Sequence, residues 1–403
     1  MMLSTRHKNL LTTAAIYSAT LSCLVLPLST ALLSLFSILT ILFWLLSGKF
    51  LDTPHLIKNN PVVLVSTALF VLFIVGMTYS SAEIGESLSY LKKYRELLFP
   101  LIFVSLLQNN PKAQKNCLYS FMGGCIILLF ISYGMYFSLL PSAKYGNSLI
   151  HHIAHGFFMA ILCFWALHKA FDSRQYRYLW AVIFLLAAGN LLCISPGRTG
   201  MLVFFVLMIL FLHQRLSKRF QLIGLLLLPL ACVVLFNVSS NFSERTIAAY
   251  QEIQNYEYGG SRTSLGQRFD WWVDSGILIQ EKPFFGHGTG AFTQEHDRLI
   301  EETDNKATGN PHNEYLLIGV QLGLVGALIF AALLVTQYVC SLQLQTAHRR
   351  FAQGVILAMI VGCLMNSFLL DSHQGHLWAF LSGICFASYP EKRSLKNMPR
   401  RIG

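Results

Sequence analysis

Three residues far apart in this chain have the types needed for chemistry on an anionic substrate. Arg198 sits in the tight turn Ser195-Pro196-Gly197-Arg198-Thr199-Gly200. Arg268 precedes Trp271 and Trp272 by three and four positions, which places all three on one side of a helix. His312 follows Asn310-Pro311 and adjoins Asn313 and Glu314. Guanidinium groups stay charged and present a planar fork of donors suited to phosphate. An imidazole titrating near neutrality is the natural base for a sugar hydroxyl. Each has a plainer reading beside this one: Arg198 as an interfacial arginine snorkelling to lipid phosphates, Arg268 as a stacked surface arginine, His312 as one of thirteen histidines without a role. Arg245 and Arg262 are further cations for the same phosphate contact, and Glu314 or Asp371 could orient the imidazole.

The elements that must hold these residues are apolar. Of 403 residues 54% are hydrophobic and 12% charged, about half the charged share of a soluble protein. With a mean hydropathy of +0.52, this excludes a soluble enzyme and a disordered chain. Apolar runs place helices near 10–27, 30–47, 61–79, 93–108, 117–139, 150–169, 177–194, 199–213, 220–237, 314–339, 351–370 and 375–389. The expectation is an all-α, polytopic membrane protein of about 12 transmembrane helices. Residues 1–237 form an N-terminal membrane bundle, 238–313 a long outer loop, and 314–403 the last helices with a basic tail. The loop is too long to be idle. Within it, 266–280 places Phe269, Trp272, Val273, Gly276 and Ile277 at helical spacing, so a helix lying apolar face down on the membrane is expected.

The net charge of +11 is a topology signal, not a nucleic-acid surface. Arg6 and Lys8, Lys49 and Lys58, Lys112 and Lys115, Lys169 to Arg177, Arg215 to Arg219, Arg349 and Arg350, and Lys392 to Arg401 all fall on one side of the alternating spans. That bias puts both termini in the cytoplasm and the polar cluster at the opposite, outer surface. The nine cysteines lie in or beside apolar stretches and read as core residues. The outer histidines His151, His152, His155, His373 and His376 match no familiar ligand spacing, so neither a metal nor a cofactor is expected. Pro283-Phe-Phe-Gly-His-Gly-Thr-Gly290 lacks the Lys-Ser/Thr of a Walker loop. It reads either as a turn back toward the cleft or as a phosphate nest.

The ordered set resembles the O-antigen ligase and polymerase superfamily of bacterial membrane glycosyltransferases. The features are the arginine turn, the run Arg268…Trp272…Pro283…Gly286-x-Gly288, and His312-Asn313 followed by Gly323-x-x-Gly326. The resemblance implies a GT-C-like bundle in the bacterial inner membrane with a periplasmic active site. It implies metal-independent, inverting transfer of a preassembled glycan from undecaprenyl diphosphate to lipid A–core. In that reading Arg198 and Arg268 bind the diphosphate and His312 is the base, with Arg262, Trp272, Asn313, Glu314 and Asp371 in support. One dominant outer loop favours a ligase over a polymerase. A protein O-oligosaccharyltransferase and, in a different class, a lipid-linked glycan transporter are the alternatives.

Overall fold

The computed structural model describes residues 4–390, so the basic tail expected at Lys392 to Arg401 lies outside the described residues. The first half of the chain forms α1 (Thr5–Val25), α2 (Thr30–Ser47), α3 (Thr53–Asn59), α4 (Pro61–Met77), α5 (Ile84–Tyr94), α6 (Phe99–Leu107), α7 (Pro111–Tyr136) and α8 (His152–Asp172). Then come α9 (Arg177–Gly189), α10 (Arg198–Arg215), α11 (Lys218–Val238), α12 (Ser240–Gln254), α13 (Ser264–Glu281), α14 (Phe292–Ile300), α15 (Glu314–Ser341), α16 (Thr346–Met365) and α17 (Ser372–Phe386). No strand is present among the described residues. The starts of α4 and α7 share one local code, an asparagine followed by proline. Asn60 and Asn110 accept hydrogen bonds from the amides of the first turn, and the proline stands where no amide is needed.

Every apolar stretch expected from the sequence is largely helical. Seven helices are long and apolar enough to cross a membrane, or eight if α3 and its preceding turn join α4 across a 103° bend. The stretch at 93–108 is broken into the end of α5, a 3-10 turn at Arg95–Leu98, and the nine residues of α6. All nine are buried, as is nearly the whole of α17, so these short helices need not reach across lipid. α8 is the hub: 83% of its apolar window is buried, against none of α11. The end of α8 that begins at His152 faces the candidate site.

The long loop is itself mostly helical, supplying α12, α13 and α14. The helix expected within 266–280 is present as α13. Asp270, Trp271, Asp274, Ser275 and Leu278 are buried against the protein, while Val273 and Ile277 are exposed. The two aspartates can be buried because each is saturated with donors. Asp270 accepts from the Tyr256 hydroxyl and the amides of Gly259 and Ser261. Asp274 accepts from the Tyr258 hydroxyl, Asn305 and His296.

The glycine-rich segment 283–290 braces this loop to the bundle. Gly286, Gly288 and Gly290 all have positive φ, and a Cβ on Gly288 would lie 2.1 Å from the Ser80 Cα. Its amides are spent on protein acceptors: His287 N–H on the Val320 carbonyl, Gly288 N–H on Gln321, Thr289 N–H on Gly76 and Gly290 N–H on Gln321 Oε1. No phosphate nest is left. Gly323, expected as a helix-packing glycine, instead breaks α15 with φ 60° and ψ −155°, and the freed amides of Leu324 and Val325 donate to Pro283 and Phe284. Gly288→Ala should therefore lower the melting temperature in detergent, the backbone conformation alone costing about 1–3 kcal/mol. Gly276→Ala, in open space within α13, should leave it unchanged.

Candidate functional site

Three helices begin at one cavity of about 280 Å³. It is lined by His152 and Ile153 of α8, Arg198 and Thr199 of α10, and Ser264, Leu265 and Arg268 of α13, with Arg245 of α12 and Met365 at the end of α16. Helix N-termini carry partial positive charge and unpaired amides, so the backbone and the three guanidinium groups favour an anion together. The glycines of the arginine turn make the convergence possible. A Cβ on Gly197 would lie 2.7 Å from the His152 carbonyl oxygen, and one on Gly200 2.5 Å from the Gly156 backbone. The close neighbour these glycines admit is α8.

Arg198 is only half committed. One terminal nitrogen donates to Glu252 Oε1 at 2.6 Å, while the other, Nη1, is buried with no partner. The second oxygen of Glu252 accepts the Leu265 amide at 2.8 Å, so this carboxylate also ties down the start of α13. Burial opposes ionisation of Glu252, but the bonds from Arg198 and Leu265 hold its pKa below the usual range. Arg268 is half-buried and has no hydrogen bond or ion pair among the described residues. Burial, then the nearby charge of Arg198, pushes its pKa down.

His312 lines an adjoining cavity of about 240 Å³ together with His151, Asn366, Asp371, His373 and Gln374. The two cavities share Ile153. His312 sits at φ 53°, its amide bonded to Asn310 Oδ1 at 2.8 Å. The preceding carbonyl, of Pro311, accepts from Trp272 Nε1 at 2.9 Å. The Trp271 ring stacks on the imidazole at 5.4 Å between centroids. α13 thus carries Arg268 beside one cavity and the Trp271–His312 stack beside the other.

The protonation of His312 follows from its neighbours. Asp371 Oδ2 can only accept while ionised, so it takes a hydrogen bond from Asn366 Nδ2, at 2.8 Å. That turns Asn366 Oδ1 toward His312 Nδ1 at 2.6 Å, and an amide oxygen also only accepts. The imidazole proton is therefore on Nδ1, and Nε2 keeps its lone pair. Burial lowers the His312 pKa, the Arg268 charge lowers it further, and the Asn366 bond works against both. Burial raises Asp371 to about 6.

The remaining sequence candidates fall elsewhere. Glu314 is fully buried, accepting from the Tyr94 hydroxyl at 3.1 Å and the Leu369 amide at 2.8 Å; it makes no hydrogen bond to His312. Asn313 caps α15 through the Tyr315 and Leu316 amides. Trp272 holds the backbone beside His312. Arg262 is exposed and lines neither cavity. Sequence reasoning missed Asn366, which lies at the end of an apolar run and meets His312 only because α16 returns beside the start of α15. It also missed Glu252, whose role depends on the fold of the loop. Among the described residues, one cluster has metal-ligand spacing: Glu281, His287 and Glu295. It lies apart from the outer histidines, and Arg298 already pairs with both carboxylates.

The chain is a multi-pass helical bundle in which an arginine-lined cavity lies against a histidine-lined one. Residues 182–331 match the family model described as O-Antigen ligase. The matched segment contains Arg198, Arg268, His312 and Gly323; Asn366 and Asp371 lie beyond it. An uncharacterized protein of Haemophilus influenzae is 25% identical over 310 residues, 71% of this chain and 77% of the relative.

Proposed function

We propose that this protein is a glycosyltransferase of the ligase type, moving a preassembled glycan from undecaprenyl diphosphate to a sugar hydroxyl of lipid A–core at the periplasmic face of the inner membrane. The observation that carries the reading is the free Nε2 of His312 in a cavity that adjoins the arginine cavity across Ile153. The acceptor hydroxyl gives its proton to Nε2 as its oxygen bonds to the anomeric carbon. The bond from that carbon to the diphosphate oxygen breaks, and its electron pair leaves with the diphosphate. Arg198 and Arg268 meet the charge that grows there. Attack opposite the leaving group inverts the anomeric centre.

Purified protein with lipid-linked glycan and lipid A–core decides between classes. A capped core supports the ligase. A lengthened lipid-linked glycan makes it a polymerase, and absence of transfer by folded preparations leaves the protein O-oligosaccharyltransferase, which a protein acceptor would reveal, and the transporter. Undiminished transfer in chelator supports guanidinium groups in place of a divalent cation; loss restored by a divalent ion reverses that part.

The histidine must be neutral to act, so transfer should fall only as pH drops below the ordinary imidazole value of about 6.5, because burial lowers its pKa. Asn366→Leu removes a bond that raises that pKa and frees the ring to turn. The expected result is a lower kcat with the acid limb displaced to still lower pH. An unchanged profile would remove Asn366 as the positioning residue.

A further inference from the structure

At the far end of α8 from the candidate site lies a second charged cavity, of about 330 Å³, between the start of α7, the end of α8 and the start of α16. His152 and Lys169 are separated by roughly 25 Å of helix at 1.5 Å per residue, so this is not part of the diphosphate site. Lys115, Lys169, Arg350 and His348 line it, with Tyr119 and Trp165 as its aromatic wall. The Lys169 ammonium stands 5.2 Å from the Tyr119 ring and 5.3 Å from the Trp165 ring. Lys115 stands 5.5 Å from the same Tyr119 ring. The carboxylate at the cavity, Asp172, is already engaged by Arg215 at 2.6 Å and lies 3.9 Å from Arg350. Neither lysine has an ion pair among the described residues.

Two ammonium groups gathered at one ring repel each other, and that arrangement is relieved by an anion between them. Apart from His168, which is bonded to Arg215, the rest of the lining is apolar, Pro111, Leu118, Ala347 and Phe351, and Tyr119 is partly exposed. A cationic pocket continuous with an apolar outer surface fits a molecule that is anionic at one end and oily at the other. Basic pockets between helix ends of membrane proteins recognise phosphate headgroups in this way. We propose that this cavity binds the phosphodiester headgroup of an anionic phospholipid, seated on Lys115, Lys169 and Arg350. Its occupant would fix the ends of α8 and α16 whose opposite ends carry Ile153 and Met365 into the candidate site.

The test is native mass spectrometry of the purified full-length protein with phosphatidylglycerol or phosphatidylcholine. Wild type should retain phosphatidylglycerol preferentially, and the folded double variant K115Q/K169Q should retain about thirtyfold less, at about 1 kcal/mol for each of the two basic residues. The single variant K115Q, at an exposed position, should lose part of that. K112Q/R174Q, two exposed basic positions outside the cavity, should retain phosphatidylglycerol normally. Equal loss in the two double variants would mean diffuse surface charge and overturn the site. Equal retention of phosphatidylcholine would overturn recognition of the anion. Displacement of the lipid by inorganic phosphate would make the ligand a free anion and overturn the lipid assignment.

Discussion

A strain carrying His312→Ala in place of the wild-type protein should make lipopolysaccharide without its glycan cap and should accumulate the lipid-linked donor. General base catalysis contributes about 10²–10⁴ in rate, enough to erase a ladder on a gel. The geometry concentrates that contribution in one atom. Asn366 occupies Nδ1 and Trp271 covers a ring face, leaving Nε2 to take a proton. Alanine also loses the stack and must adopt the left-handed backbone that His312 holds at φ 53°, a conformation Asn and His tolerate better. His312→Asn is therefore the cleaner variant: it keeps the backbone and removes the base. Both should be present in the membrane at wild-type level, with the same melting temperature for the asparagine variant. Normal ladders from either would remove the base assignment. Cores bearing a single repeat in the absence of the protein would instead identify a polymerase.

The sequence showed where helices lie far better than which of them cross the membrane. Hydropathy registers burial of any kind, so α6 and α17, buried among other helices, scored like lipid-facing spans, while α11, which has no buried residue, did the same for the opposite reason. The arginine turn and the His312 neighbourhood were readable because short motifs carry local constraints. A proline, a glycine or an N-cap asparagine means the same thing in most contexts. What the motifs positioned was less readable. The glycines beside Arg198 signal a close approach in the sequence, but that the approaching neighbour is α8 is legible only in the fold. Gly286 and Gly288 suggested an anion nest, yet their amides are consumed by the carbonyls of Lys282 and Gln321. α13 is the sharpest case. Its apolar spacing marked the face with Val273 and Ile277, which is left exposed, but gave no sign of the buried face, which two aspartates saturated by loop donors hold against the protein. Asn366 left no trace at all, because a lone amide at a helix end acquires meaning only from the chain that returns beside it.

Neutralising the arginine pair should cost nearly as much as removing the base. Arg198 keeps Nη1 without a partner while its other terminal nitrogen binds Glu252, and Arg268 is charged, half-buried and unpaired among the described residues. Each charge-assisted bond to a phosphate oxygen is worth about 1.5–3 kcal/mol, or roughly 10- to 150-fold in kcat/KM at 1.36 kcal/mol per tenfold. Because growing charge on the leaving diphosphate strengthens these bonds in the transition state, Arg198→Gln and Arg268→Gln should lower kcat more than they raise the donor KM. The double variant should lose less than the product of the two, since both groups hold one ligand. Arg198→Lys separates charge from geometry. A single ammonium must choose between Glu252 and the phosphate, whereas the guanidinium fork serves both, so lysine should recover only part of the rate. Arg262→Gln, exposed and outside both cavities, provides the control and should transfer normally. If steady-state kinetics with defined donor and acceptor gave Arg198→Gln the same kcat/KM as wild type, or gave Arg262→Gln the same deficit, the cavity where α8, α10 and α13 begin would not be the diphosphate site. His312 would then be a base without a leaving group beside it.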